Sequence, residues 1–370
     1  MNLRRLGRLP VALALVPLFV GAADRPAVVP VTPDPSVRVP DEVMQRVFDE
    51  VKTPYKYGVV VRGEENELVD CPNVFRREGT WYMLYAANRD KIGYQTFLAR
   101  SDDLLTWEKL GPVLSFSKQG WDAWQADAGL SLYDTDWPGT HEIRTHDGKY
   151  WMTYIGGALQ GYETDPLSIG IATTTTPHEP REWTRLPQNP ILSPEQSDVR
   201  WWETSTLYKS AVIHDPAETL GWPFVMYYNA KFPPDGNEFI GMAVSRDMVS
   251  WIRYGDDPVI RNKGTSRWAI SGDPQIARIG EVWVMFYFGA FWKPNAFDTF
   301  ACSYDLVNWT KWEGPHLVEP SEPWDKQFAH KPWLLKHDGV VYHFYCAVGD
   351  QGRVIALATS KDLRAKPAAE

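Results

Sequence analysis

Cysteine is scarce in this chain, and no run of basic residues follows the N-terminus. The three cysteines, Cys71, Cys302 and Cys346, are far apart and lack the spacing of a metal site, so we expect one disulfide bond or none. The formal net charge is −9, and we therefore expect no nucleic-acid partner. Beyond the N-terminal segment, no apolar stretch approaches transmembrane length, so we expect no further membrane association.

The first 23 residues have the three parts of a secretory signal peptide. Arg4, Arg5 and Arg8 form a basic start, and a small-residue Gly-Ala-Ala sequence ends the segment. The apolar stretch between them is about 14 residues long, which is short for a membrane span. We therefore predict that residues 1–23 are a signal peptide and that the protein is secreted or periplasmic.

Proline is concentrated in residues 24–45, which hold five of the 29 prolines in the chain. This density is typical of an extended linker. Residues 46–370 remain for a folded domain, a length that suits a closed all-β repeat architecture.

The main signal in this domain is an internal repeat of large residues at alternate positions. Alternation with a period of two is typical of a β-strand, and a glycine just ahead of four of the five copies indicates a tight hairpin turn. A Ser-x-Asp turn followed by Trp comes after three of the hairpins. Five such units of about four strands predict an all-β, five-bladed β-propeller. The copies are Trp81-Met83-Tyr85, Tyr150-Met152-Tyr154, Phe224-Met226-Tyr228, Trp283-Met285-Tyr287 and a degraded Val341-His343-Tyr345.

In a propeller the innermost strand of each blade lines the central axis. The segment ahead of each repeat is the expected inner strand, and each one has a polar or ionisable residue in an otherwise apolar stretch. Charged residues that face one another across an axis are costly unless they are paired or used in function. The segments are Asp70-Cys71-Pro72-Asn73-Val74, Thr140-His141-Glu142-Ile143, Glu203-Thr204-Ser205-Thr206-Leu207, Gly272-Asp273-Pro274-Gln275-Ile276 and His330-Lys331-Pro332-Trp333-Leu334.

Three acids of this set, Asp70, Glu203 and Asp273, are the predicted catalytic residues. The other ionisable members are predicted to bind substrate, although a buried His or a Lys–Glu ion pair can instead hold blades together. Tryptophan supports a sugar ligand, because 18 of the 370 residues are Trp and an indole face stacks on a sugar ring. The predicted substrate-binding residues are Trp124, His141, Glu142, Trp202, His330 and Lys331.

These acids and repeats, over residues 55–363, resemble the five-bladed propeller glycosidases: glycoside hydrolase family 43 and its relatives in families 32, 62, 68 and 117. The resemblance implies a base or nucleophile on the first blade, a pKa-tuning carboxylate on the third and a proton donor on the fourth. By blade order these are Asp70, Glu203 and Asp273. Family 43 usually has Asp on the third blade and Glu on the fourth. The two types are exchanged here, so either Glu203 or Asp273 is the predicted acid.

The predicted function is hydrolysis of glycosidic bonds in oligo- or polysaccharides, which needs one carboxylic acid and one carboxylate. The resemblance implies inversion, for which the two carboxyl groups lie roughly 6.5–9.5 Å apart. No cofactor is expected to be required. Some family 43 members hold Ca²⁺ on the axis with a fifth-blade His, and His330 matches that place, so the resemblance also allows a structural Ca²⁺.

Three other functions remain open from the sequence. One is a phosphorylase resembling glycoside hydrolase family 130, in which Lys331, His330 and His141 would bind phosphate. The second is a propeller that binds carbohydrate without cleaving it. The third is a lyase or transferase on the same scaffold. The sequence does not determine the sugar, its anomer, or whether attack is exo or endo.

Overall fold

The computed structural model describes residues 28–34, 36–233, 235–263 and 268–364. The predicted signal peptide lies outside these residues. In the described ranges, no helix has both the length and the apolar character that crossing a bilayer requires. The α-helix is α1 (Asp41–Val51), and a 3-10 helix spans Gly120–Asp122.

Strands dominate the described residues. They are β1 (Val28–Val29), β2 (Tyr55–Val61), β3 (Glu67–Arg77), β4 (Thr80–Arg89), β5 (Tyr94–Ser101), β6 (Glu108–Leu114), β7 (Gln125–Leu130), β8 (Tyr150–Gly157), β9 (Leu167–Thr174), β10 (Thr184–Arg185), β11 (Thr206–His214), β12 (Phe224–Phe232), β13 (Asn237–Ser245), β14 (Trp251–Tyr254), β15 (Ile270–Ile279), β16 (Val282–Ala290), β17 (Ala296–Ser303), β18 (Thr310–Lys311), β19 (Phe328–His337), β20 (Val340–Gly349) and β21 (Gly352–Thr359).

The strands pair in five successive antiparallel groups of four. The first four groups are β3–β6, β7–β10, β11–β14 and β15–β18. The last group combines β19, β20 and β21 with the early strand β2. This arrangement confirms the prediction of an all-β propeller fold. A closed array of this kind buries both faces of every group.

The repeat falls in the second strand of each group, as predicted. Met83 is fully buried in β4, and the equivalent methionines of β8, β12 and β16 are also fully buried. The Ser-x-Asp motif forms the predicted turn: Asp103 Oδ1 accepts hydrogen bonds from the amides of Leu105 and Thr106 at 2.8 Å. Trp107 Nε1 then donates to the Leu104 carbonyl at 3.2 Å and closes the turn.

The first strand of four groups has a two-residue β-bulge that interrupts the ladder with the second strand. Such bulges re-aim side chains, and they occur often next to functional sites. In three of them the leading residue has a positive φ, which is 51° at Cys71, 50° at Asp273 and 62° at Lys331. The bulged pairs are Cys71-Pro72, Tyr208-Lys209, Asp273-Pro274 and Lys331-Pro332.

The segment ahead of β2 packs on the domain, which differs from the extended linker expected over residues 24–45. Strand β1 pairs in parallel with β14, and α1 begins at Asp41. Val43, Met44 and Val47 of α1 are buried in a cluster with apolar side chains of β16 and β17. The proline-rich composition hid this helix because its apolar stripe begins only at Val43, after the last of the prolines.

Candidate functional site

A cavity of about 330 Å³ opens at one end of the propeller axis. Its walls come from the beginnings of the first and third strands of several groups and from the ends of the second strands. One wall is apolar and the other is charged. The apolar wall is formed mainly by Trp268, Ile270, Phe288, Ala290, Phe291 and Phe328, and the charged wall by Asp127, Glu163, Lys209, Lys231, Glu238, Asp273, Lys331 and Arg353.

Asp70 lies behind the charged wall and has no exposed surface. Its Oδ2 accepts hydrogen bonds from Arg353 Nη1 at 2.8 Å, Lys331 Nζ at 3.1 Å and Tyr94 OH at 3.1 Å. Burial alone would raise the pKa of Asp70, but Arg353 and Lys331 hold it well below its usual value. Asp70 is therefore the buried counter-ion of two cations that line the cavity.

Glu163 comes from the loop between β8 and β9. Its Oε1 lies 3.4 Å from Lys331 Nζ, and its side chain keeps 18% of its surface exposed. The amide of Gly161, two residues earlier, donates to the Ile92 carbonyl at 2.8 Å, and Gln125 Nε2 donates to the Gly161 carbonyl at 3.0 Å. These bonds fix the loop over the cavity and hold the Glu163 carboxylate beside an ammonium group.

Glu238, near the start of β13, is the carboxyl group most strongly perturbed within the cavity wall. It is buried, and its Oε2 accepts a hydrogen bond from Asn229 Nδ2 at 2.9 Å. Burial raises the pKa of Glu238 to about 8, with further contributions from the charges of Glu163 and Asp273, against the opposing effect of Lys231. Glu238 is therefore mostly protonated at neutral pH and can donate a proton.

Asp273 occupies the bulge of β15, at the axial end of the cavity. Burial raises its pKa to about 6, and the nearby carboxylates of Asp70 and Asp127 add to this effect against Lys331 and Lys209. Lys209 Nζ is itself bound to the Asp127 carboxylate and the Ala128 carbonyl. Asp273 thus lies near two ammonium groups, and its pKa of about 6 is closer to neutral pH than that of a free carboxyl group.

The predicted site residues separate into two sets. Asp273, His330 and Lys331 line the cavity. Asp70 lies behind this lining and accepts a hydrogen bond from Lys331. Glu203 does not line the cavity. It is fully buried, and Arg200 Nη2 at 3.0 Å, Tyr228 OH at 2.6 Å and Arg253 Nε all donate to its carboxylate. The structure therefore places Glu203 in an internal ion-pair cluster.

Four other residues predicted to bind substrate lie away from the cavity. His141 Nε2 bonds to the Lys336 carbonyl at 2.8 Å, near the far end of β19, and the neighbouring Glu142 is exposed there. The beginning of β19 lines the cavity, so both residues are at the opposite end of the axis. Trp202 is fully buried against Tyr228, and Trp124 packs on Phe116; neither lines the cavity.

Two members of the charged wall, Asp127 and Lys209, were not predicted because the first strands of two groups lie elsewhere in the sequence than expected. In the second group, residues 131–149 separate β7 from β8. The first strand therefore lies earlier in the sequence than expected, and its residue at the axis is Asp127. In the third, β11 begins only at Thr206, and the axial residue is Lys209. Glu163 and Glu238 belong to no repeated pattern, so periodicity carried no signal for either.

The residues near His330 do not fit a calcium ion. Its Nδ1 contacts the Cys346 carbonyl at 3.1 Å, and its Nε2 faces Arg353 Nη1 at 3.3 Å. Burial lowers the pKa of His330 to about 3, so the ring is neutral. Calcium needs six to eight oxygen ligands, whereas two cations already surround Asp70. Over the described ranges, no group of three or more potential metal ligands is found.

No protein-family model matches this sequence. A solved structure named as a complex of BT0996 and RGII superimposes with a TM-score of 0.85 at 45% sequence identity, covering 90% of this protein and 98% of that one. A structure named glycoside hydrolase superimposes at 0.84 with 44% identity and the same coverage, 90% and 98%. A thermostable family-43 glycoside hydrolase shares the fold, with a TM-score of 0.59 and 16% identity over 85% of this protein and 98% of that one.

Curated proteins match over shorter stretches. Sucrose-6-phosphate hydrolase of Bacillus subtilis (strain 168) is 34% identical over 87 residues, which are 22% of this protein and 18% of that one. The 1,2-β-oligomannan phosphorylase of Thermoanaerobacter sp. (strain X514) is 27% identical over 145 residues, 37% of this protein and 46% of that one. The match thus spans less than half the length of these curated relatives.

Proposed function

Because this protein belongs to the glycoside hydrolases, we propose that it cleaves a glycosidic bond with Glu238 as proton donor and Glu163 as the ionised carboxylate partner. The observation that carries this proposal is the contrast between the two groups within one cavity. Glu238 is buried with a pKa of about 8, whereas Glu163 has an ammonium group 3.4 Å away. Glycoside hydrolysis needs such a pair, one carboxyl protonated and the other charged.

In the proposed reaction, Glu238 transfers its proton to the departing glycosidic oxygen. Glu163 acts on the opposite side of the bond, either on the anomeric carbon or on a water molecule. Asp273 accepts hydrogen bonds from hydroxyl groups of the bound sugar, and the Lys331 ammonium lies beside the Glu163 carboxylate. Phe288 and Phe328 of the apolar wall pack on the ring of that sugar and exclude water.

We propose a carbohydrate of the RGII kind as substrate, because the structure that carries this name is 45% identical over 98% of its length. Export through the N-terminal segment remains part of the proposal, since a polysaccharide substrate lies outside the cell. A five-bladed propeller and inversion also remain predictions. Proton NMR of the anomer first released decides between inversion and retention.

Phosphorolysis is less well supported than hydrolysis. The cavity has four cations, but each of them is paired with carboxylates. Lys209 is bound to Asp127, Lys231 to Asp165, and Lys331 and Arg353 to Asp70. A phosphate group would have to compete with these partners, and His141 lies at the other end of the axis. Adding inorganic phosphate to the assay is therefore expected to yield free sugar and no sugar phosphate.

The direct test is hydrolysis of RGII oligosaccharides and a panel of aryl α- and β-glycosides, furanosides included, by the wild type and Glu163→Gln. We expect the wild type to release sugar and the variant to lose about 10²- to 10⁴-fold in kcat, because the ionised carboxylate is gone. The measurement is the initial rate of sugar release at saturating substrate.

Glu108→Gln is the matched control for this test. Glu108 also pairs with a cation, Arg100 at 2.7 Å, but on the exposed surface. We expect it to keep wild-type activity. A fully active Glu163→Gln would rule out the proposed role of Glu163. Binding without release by the wild type would instead favour a carbohydrate-binding protein.

A further inference from the structure

Two exposed tryptophans and a half-buried phenylalanine flank the hairpin tip that precedes Glu238, and we propose that they bind the leaving-group sugars of an oligosaccharide substrate. We call this surface the aromatic ledge; it consists of Trp268, Phe232 and Trp201. The inference rests on the proposed function, because it follows from Glu238 as the proton donor. The ligand class is an oligosaccharide with at least two sugars beyond the cleaved bond.

Trp268 forms the part of the ledge that borders the cavity. It is 57% exposed, the largest value among the large apolar residues in the described ranges, and it also lines the cavity. Its amide donates to the Asp235 carbonyl at 3.0 Å, and its ring covers Gly236, where a Cβ atom would lie 3.2 Å from the indole. Gly236 has φ +70°, a backbone conformation that glycine adopts easily. The absence of a Cβ atom also leaves room for the indole ring of Trp268.

Trp201 forms the outer part of the ledge, on the other side of the same tip. Its ring centroid lies 5.2 Å from that of Phe232, the last residue of β12. Trp201 Nε1 donates to Asp257 Oδ1 at 3.0 Å, and the Arg261 guanidinium lies 5.0 Å from the ring. The side chain is therefore held in place while 37% of the residue stays exposed. A rigid exposed aromatic ring binds sugar with little loss of conformational entropy.

The position of the ledge follows from the chemistry of the cavity. A proton donor lies beside the departing oxygen, so the sugar attached to that oxygen leaves on the Glu238 side. Asn237 and Glu238, the first two residues of β13, directly follow the hairpin tip. Sugars that follow the leaving oxygen therefore pass over this tip. Trp201 precedes β11, whose first residues face the cavity, so it lies at the same end of the axis.

Two substrates separate leaving-group binding from the chemical step. One is an oligosaccharide that the wild type hydrolyses, and the other is the glycosyl fluoride of the released sugar, whose leaving group is a single atom. The measured quantity is kcat/KM for the oligosaccharide divided by kcat/KM for the fluoride. We expect Trp201→Ala and Trp268→Ala each to lower this ratio about tenfold, the size of one aromatic contact.

Tyr304→Ala is the matched control, because Tyr304 is 39% exposed but follows the far end of β17. We expect its ratio to equal that of the wild type. Unchanged ratios in both Trp variants would overturn the ledge while leaving the proposed function intact, as would an equal fall in the Tyr304 control. A wild type that hydrolyses neither substrate would refute the proposed function itself, and the ledge with it.

Discussion

Replacing Glu238 with Gln is expected to lower kcat on oligosaccharides by about 10²- to 10⁴-fold, the usual size of general acid catalysis. An amide keeps the shape and the hydrogen bond from Asn229 but has no acidic proton for the leaving oxygen. A substrate with a highly acidic leaving group needs little protonation, so dinitrophenyl glycosides are expected to lose much less. The ratio of the two losses, from steady-state kinetics, measures the role of the proton.

The pH dependence gives a second readout of the same residue. The proton donor must be protonated, so wild-type kcat/KM is expected to fall as the pH rises through about 8, the pKa to which burial raises Glu238. In Glu238→Gln this alkaline limb is expected to disappear. Glu142→Gln, at the opposite end of the axis, is the control and is expected to keep both the rate and the limb. An alkaline limb that persists in Glu238→Gln would assign it to another group.

Glu203→Gln is expected to destabilise the fold while leaving the activity of folded molecules unchanged. Removing one member of a buried ion-pair cluster costs about 3–5 kcal/mol, because the partner charges remain buried. The lower end is expected here, since Arg253 keeps Asp198 at 2.7 Å and Arg200 keeps the Gly255 carbonyl at 2.7 Å. Urea unfolding at pH 7 measures the change in the free energy of unfolding.

The sign of the pH effect on stability also follows from this cluster. Burial alone would raise the pKa of Glu203, but Arg200 and Arg253 lower it below its usual value. Its contribution is therefore complete above about pH 4.3, the unfolded pKa, and is lost as the pH falls through the lower folded value. The difference in the free energy of unfolding between wild type and Glu203→Gln is expected to become smaller only as the pH falls through that acid range. Glu238→Gln is the stability control, because Glu238 is already mostly neutral at pH 7.

The sequence predicted a catalytic role for Glu203 and none for Glu238, and for Glu203 the structure shows a difference of register. The repeat correctly predicts the second strand of every group, since its alternate residues, such as Met83 and Met285, all enter the core. The first strand was predicted by counting back from the repeat. That count works in the first, fourth and fifth groups and reaches Asp70, Asp273 and Lys331.

In the second and third groups the predicted segments miss the first strand, after it in the second group and before it in the third. In the second, residues 131–149 fold into their own small bridge between Tyr133 and Ile143, and counting back reaches His141 instead of Asp127. In the third, β11 begins only at Thr206, so the predicted segment starts at Glu203, ahead of the strand and before the axial residue Lys209. The period of the sequence repeat does not specify the lengths of the loops between strands. The axial positions of Asp127 and Lys209 can therefore be located only from contacts in the three-dimensional structure.

The pairing of β2 with β21 has a consequence for how the protein reaches its folded state. Tyr55 and Thr359 are partners in this ladder, although 304 residues separate them in sequence. Strand β2 therefore stays without its partner until Gly352–Thr359 has been synthesised. Such long-range pairing slows folding, because a large loop must close before its contacts form. We therefore expect closure of the ring to come late in folding and the nascent protein to be most exposed to aggregation until it occurs.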